Sequence, residues 1–129
     1  MTQIFDNPYT YEPHTLGVWG EKLAQEKLKD KKYSILDTNW RINRGEIDII
    51  AHDITSQTLA FIEVKTRKET SFVNPYDAVD MRKYMRIRKL ACAWIHDNKV
   101  HAPHIRIDLI AITVLKNGAY HFEHCEGVI

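Results

Sequence analysis

The chain has 129 residues, 44% of them hydrophobic and 27% charged, with a formal net charge of +1. That length suits one domain with a modest core and is too short for two independent ones. No basic segment leads into a long apolar run, so secretion and membrane spanning are not expected and a cytoplasmic protein is; nor is the chain a polycation, so any affinity for nucleic acid must come from local clusters of cations.

Residues 1–14, with Asn7, Pro8, Thr10 and Pro13, read as a flexible arm ahead of a single domain over residues 15–129. Helical spacing begins at residue 15 and runs to about residue 30: Gly17, Gly20, Glu21, Ala24 and Leu28 fall three, four and seven apart, which sets Glu21 on a stripe of small residues. A strand over residues 33–39 and a turn over 41–45 follow. Residues 45–51 and 59–67 form two further strands joined through the polar stretch 52–58. After a charged connection, Asn74-Pro75 marks the start of a long helix over residues 75–98, carrying Ala78, Met81, Met85, Leu90, Ala91, Trp94 and Ile95. Residues 104–114 alternate and then turn continuously apolar, as a well-covered strand does, and Asn117-Gly118 signals a two-residue hairpin into a last strand over 119–125. The order α-β-β-β-α-β-β predicts an α/β domain whose mixed five-stranded sheet is flanked by helices.

The two strands at 45–51 and 59–67 carry acids inside apolar runs. Side chains alternate along a strand, so Glu46, Asp48 and Ile50 share one face, as do Phe61, Glu63 and Lys65. The natural hairpin register sets Ile50 opposite Phe61, Asp48 opposite Glu63 and Glu46 opposite Lys65. Facing carboxylates have Cβ atoms roughly 5 Å apart, and their repulsion is about 4 kcal/mol at an effective dielectric near 20. A hard divalent cation removes that penalty; Mg²⁺ binds through one or two carboxylates together with water and phosphate, and Mn²⁺ fits the same oxygens. Two plainer readings stay open: a cross-strand ion pair between Glu46 and Lys65, and a solvated edge where the acids face water.

Cations concentrate elsewhere. Arg82, Lys83, Arg86, Arg88 and Lys89 occur with no acid among them, Arg67 and Lys68 follow the third strand, and Arg41 and Arg44 precede Gly45. Helical spacing aligns Arg82, Arg86 and Lys89, with Lys83 displaced to a neighbouring side. Such residues either meet backbone phosphates or form a solvated face. Trp40, Tyr76 and Tyr84 either stack on bases or pack in the core. His101, His104, His121, His124 and Cys125 do not match a tight tetrahedral zinc spacing, and alternation turns His121 and His124 to opposite faces; Cys92 and Cys125 carry no disulfide or metal spacing.

The set Gly17-x-x-Gly20-Glu21, Asn39-x-Arg41, Gly45-Glu46-Ile47-Asp48-Ile49-Ile50-Ala51, Phe61-Ile62-Glu63-Val64-Lys65-Thr66-Arg67, Ala78-Val79, Lys83 and Arg106-Ile107-Asp108 resembles the YraN-like family of uncharacterised bacterial proteins, from about Leu16 to Glu123. The resemblance implies a restriction-endonuclease-like three-layer core similar to Holliday junction resolvases. It implies Glu21 as the helix acid, Asp48 as central metal ligand, Glu63 as second ligand, the Val64 carbonyl as a further one, and Lys65 beside the attacked phosphate; Glu46, outside that set, is either an accessory or the partner of Lys65. Lys32 departs from the glycine usual in relatives, and the arm and the His121-Phe122-Glu123-His124-Cys125 finish depart as well; none touches the acids or Lys65.

The function so implied is a Mg²⁺- or Mn²⁺-dependent endonuclease of the PD-(D/E)xK type acting on branched or irregular DNA. A homodimer follows by analogy with resolvases that cut two strands symmetrically. The competing expectation is a nucleic-acid-binding or partner-binding module that keeps the nuclease scaffold without useful turnover.

Overall fold

The computed structural model describes residues 6–69 and 81–129, so Asn74-Pro75, Tyr76, Ala78-Val79 and the expected first turns of the second helix lie outside the described residues. The chain runs through α1 (Pro13–Asp30), β1 (Tyr33–Ile42), β2 (Gly45–Asp53), β3 (Thr58–Lys68), α2 (Met81–Asn98), β4 (His104–Val114) and β5 (Tyr120–Cys125). The strands form one sheet in the order β1-β2-β3-β4-β5, with β3 and β4 parallel and every other neighbouring pair antiparallel. The parallel step needs a crossover, and α2 lies on it.

α1 lays Ala24 and Leu28 on Ile49, Ala51, Ala60, Ile62, Ile110 and Ile112. α2 lays Tyr84, Ile87, Ala91 and Trp94 on the opposite side, against Ile50, Leu59, Phe61 and Ile107. The result is the expected three-layer α/β arrangement. β3 and β4 sit in the middle of the sheet with helices over both faces, which is why their sequences read as continuous apolar runs rather than alternating ones. Among the described residues no helix is long and apolar enough to cross a membrane.

Two turns differ from the sequence reading. The β1–β2 connection is two residues, Asn43 and Arg44, both at positive φ (48° and 66°), the geometry of the primed turns that match strand twist. At the other hairpin Gly118 N–H donates to the Leu115 carbonyl and Leu115 N–H to the Ala119 carbonyl (2.9 and 2.8 Å). Only Gly118 is left-handed there, at φ 89°. That is a three-residue loop with glycine at the left-handed position, not the two-residue turn expected from Asn117-Gly118.

Within the stretch expected to be a flexible arm, Asn7 to Thr10 make contacts of their own. A 3₁₀ turn covers Pro8–Thr10 with Pro8 buried, and the Asn7 side chain caps it by accepting from Tyr9 N–H (2.9 Å). The Asn7 amide also donates to the Lys116 carbonyl at 2.9 Å, tying this segment to the β4–β5 loop. α1 then starts at Pro13, inside the first turn where proline costs no helical hydrogen bond.

Candidate active site

The β2–β3 ladder keeps the expected register through Ile50 opposite Phe61 and ends at Ile49 opposite Ile62. The facing pairs expected beyond it, Asp48 with Glu63 and Glu46 with Lys65, are not part of the ladder. Instead an Asp48 carboxylate oxygen accepts the Val64 N–H at 2.8 Å, so a side chain takes the place of a backbone acceptor where the strands part. The N–H and C=O of one strand residue leave on the same edge, which puts the Val64 carbonyl on the β2 side as well.

Strand alternation also breaks here. Ile47 packs with the α2 cluster and Ile49 with the α1 cluster, although residues two apart on a regular strand share a face. Asp48 lies at this switch. Opposite, β1 pairs Thr38 with Ile49 and Trp40 with Ile47, and between them Asn39 sits at φ 51°. Asparagine visits that left-handed region more readily than most residues. Thus Glu46 and Asp48 do not follow Ile50 onto the α2 side as alternation predicts; they converge with Glu21 of α1, one ligand oxygen of each lying within 4.8 Å of the others.

Gly20 makes that convergence sterically feasible. A Cβ at this position would overlap the Thr66 hydroxyl of β3, whereas Gly17 faces open space. Of the two glycines, Gly20 is therefore the one that must be small for α1 to approach the sheet beside Glu21. Asn39, with its amide nitrogen turned toward the acids, donates to Glu21 Oε2 at 3.0 Å and to Glu46 Oε1 at 3.2 Å. It stood in the sequence motif without a role; the available signal was a polar residue in the interior of a strand that hairpins onto the acidic one.

Crowding shows in the protonation equilibria. Burial, reinforced by Glu21, Glu63 and Glu46, pushes the Asp48 carboxyl up to about 7 against the opposing pull of the Val64 N–H. Burial also raises Glu21, partly offset by the Asn39 amide. Three hard oxygen donors converging on one point, with a central acid that resists losing its proton, fit Mg²⁺ or Mn²⁺.

Glu63 stands on the other side of the gap. One oxygen pairs with Lys83 Nζ of α2 at 2.5 Å; the other is buried and has no hydrogen-bond partner among the described residues. Lys65 is held below the usual lysine range by burial and by the neighbouring ammonium of Lys83, with Glu63 pulling the other way. The ion pair expected between Glu46 and Lys65 is replaced by one between Glu46 and Arg41 at 3.5 Å.

A cavity of about 580 Å³ opens between the β1–β2 turn and α2, lined by Arg44, Glu46, Asp48, Glu63, Lys83, Arg86 and Lys89 above apolar walls that include Ile47, Ile87 and Leu90. The cationic row facing the acids is Lys83, Arg86 and Lys89. Arg82, expected in that row, is exposed on α2 but does not line the cavity, nor do Arg67 and Lys68; Lys68 instead lies 5.7 Å from the centroid of the Tyr9 ring. Arg41 reaches the site through Glu46. Tyr84 is buried in the α2 core and Trp40 packs against it, so both belong to packing rather than to a stacking platform.

A second ionic cluster was not foreseen. Arg106 donates through two nitrogens to the fully buried Asp108 (2.8 and 3.0 Å), which also bonds His124 (2.8 Å) and the Gly127 N–H (2.9 Å). Arg106 further reaches Asp53, Glu126 and the Tyr33 hydroxyl. Asp108, His124 and Glu126 bring ligand atoms within 4.8 Å of one another, yet the guanidinium is bonded to both acids. Burial would raise the Asp108 carboxyl, but the bonds from His124, Arg106 and Gly127 outweigh it and hold it below the ordinary range. This is a satisfied network fastening the C-terminal segment, whose Val128 N–H bonds the Ile107 carbonyl at 2.8 Å.

These features define a small three-layer α/β protein with a carboxylate centre beside a cationic helix. The chain matches the uncharacterised protein family UPF0102 over residues 20–112 and belongs to it. UPF0102 proteins of Beutenbergia cavernae and Arthrobacter sp. (strain FB24) are 38% and 40% identical to it, each over 88% of this chain and 94% of the relative. That of Paenarthrobacter aurescens is 41% identical over 88% of this chain and 92% of its own.

Proposed function

We propose that the protein is a metal-dependent endonuclease that hydrolyses DNA phosphodiester bonds, on branched or otherwise irregular DNA, with Mg²⁺ or Mn²⁺ as its ion. The observation that carries the reading is the meeting of Glu21, Glu46 and Asp48 within 4.8 Å, the latter two lining a cavity walled by Lys83, Arg86 and Lys89. An acid that burial first, and the neighbouring carboxylates second, push up to about 7 is costly to a fold unless a cation makes use of it.

A divalent ion at these carboxylates supplies charge relief on the phosphate and an acidified water. The chain supplies the rest. Val64 N–H fixes the Asp48 carboxylate, and Asn39 orients Glu21 and Glu46. Lys65, whose ammonium gives up its proton more easily than a free lysine, suits proton handling at the attacked phosphate. Arg44, Arg86 and Lys89 hold neighbouring backbone phosphates as salt-sensitive contacts.

The second reading, a DNA-binding module on a nuclease scaffold, draws on the Glu63–Lys83 pair, which neutralises one expected ligand. A cleavage assay over linear, flapped, gapped and four-way DNA separates the two. The enzyme reading expects Mg²⁺- or Mn²⁺-dependent nicking that falls at least about a hundredfold in Asp48→Ala, the scale of losing a principal charge-stabilising group. Retained DNA binding without cleavage of any substrate in the panel would favour the module.

A further inference from the structure

We propose that Lys83 is the resident counter-ion of Glu63, and that a substrate phosphate completes the cation site by drawing Lys83 away and releasing Glu63 as a further ligand. The inference rests on reading the acidic centre as a nuclease site, and deepens it by assigning a positioning role to one lysine.

Three observations meet at this pair. Glu63 is almost enclosed, with 12% of its side chain exposed; Lys83 Nζ lies 2.5 Å from one oxygen, and the second oxygen is buried without a hydrogen-bond partner among the described residues. Among the described residues Lys83 makes the ion pair that holds this buried carboxylate, with Lys65 attracting it as well, and removing Lys83 leaves an acceptor in want of a charge. Glu63 is nonetheless near enough to help raise the Asp48 carboxyl, so its charge is felt at the acidic centre. Finally, Lys83 shares the cavity wall with Arg86 and Lys89, one helical turn apart each, so a phosphate held by those two lies on the same side of α2 as the lysine.

The balance is electrostatic. Without nucleic acid, Lys83 and a divalent cation compete for Glu63, and Lys83 adds a like charge beside the ion. A phosphate offers Lys83 another anion, and Glu63 is then free for the cation. Binding of ion and of substrate are thereby coupled, each strengthening the other by the same factor. The lysine is a compact point charge on a flexible stem, suited to such a transfer.

Calorimetric titration with Mn²⁺, without nucleic acid, tests this on the native chain, Lys83→Met, Glu63→Gln and the double variant. Lys83→Met should bind Mn²⁺ roughly tenfold or more tightly than the native protein, the gain expected from removing a nearby like charge. Glu63→Gln alone should change affinity little, and the double variant should lose the gain. Adding an octathymidylate with a phosphorothioate backbone should tighten Mn²⁺ binding to the native chain but not to Lys83→Met. Unchanged or weaker Mn²⁺ binding by folded Lys83→Met, a gain that survives Glu63→Gln, or no Mn²⁺ binding in any variant would overturn the proposal. Should Lys83→Met fail to fold, Lys83→Gln carries the same expectation, and the oligonucleotide effect on the native chain stands by itself: its absence overturns the coupling. Failure of the endonuclease reading shows differently, as the Lys83→Met gain without cleavage of any DNA.

Discussion

Asp48 concentrates the electrostatic argument in one side chain. Its carboxyl moves from an ordinary value of 3.8 up to about 7 on folding, so between those values the native state keeps a proton that the unfolded chain has lost. Stability of the ion-free protein therefore falls as pH rises from about 4 to 7 and levels off above. Thermal unfolding should show a steeper slope in the native protein than in Asp48→Asn, where the raised Glu21 keeps a smaller one, with the variant the more stable at pH 8. Divalent ions displace the same proton, so affinity should rise through pH 7, with proton release on binding below it. Asn39→Ala should weaken ion binding severalfold, because Glu21 and Glu46 lose the amide that orients them. This residue also marks how far the sequence could be read: the register of β2 on β3 was legible from Ile50 and Phe61, but the change of face at Asp48 was not. That change accompanies the left-handed Asn39 on the partner strand, which leaves no trace in the alternation of β2 itself.

At the scale of elements, α1 and α2 bring opposite chemistry to one gap in the sheet. α1 docks through Gly20 against Thr66, so Gly20→Ala should cost about 1–3 kcal/mol by overpacking and weaken ion binding by moving Glu21. Gly17→Ala, in open space within the helix, should instead stabilise by about 0.5–1 kcal/mol. Chemical denaturation of the two variants checks both signs. The spacing of the glycines was plain in the sequence; which of them touches the sheet depended on the docking angle. On α2, Arg86→Ala with Lys89→Ala should lower the slope of log affinity for DNA against log salt by about 0.9 per lost phosphate contact, and Arg82→Ala should leave it unchanged. Periodicity located the cationic helix, but the face it turns to the acids is set by Ile87, Ala91 and Trp94 packing on the sheet.

Across the whole molecule, the site sits where β2 and β3 part, between two hydrophobic layers that hold the rest of the sheet closed. The network of Arg106, Asp108 and His124 secures the C-terminal segment instead, and should affect folding rather than chemistry. Asp108→Ala, leaving Arg106 without its buried partner, should cost about 3–5 kcal/mol while leaving the affinity of the surviving folded protein for Mn²⁺ intact. The chain order of helices and strands and a mixed sheet flanked by helices were legible in the sequence, since apolar periodicity follows burial, and the three-layer core was implied by the family resemblance; the order of strands within the sheet was not read. The second network was not, because Tyr33, Asp53 and Arg106 are brought together only by the finished sheet.

Calorimetric titration of the native chain and of Asp48→Ala with Mn²⁺ at pH 8 bears most directly on whether Glu21, Glu46 and Asp48 form an ion-binding centre. Saturable binding to the native protein, reduced at least about tenfold by the substitution, is the expected result. Equal affinity in the two proteins, or none in the native chain, would contradict it.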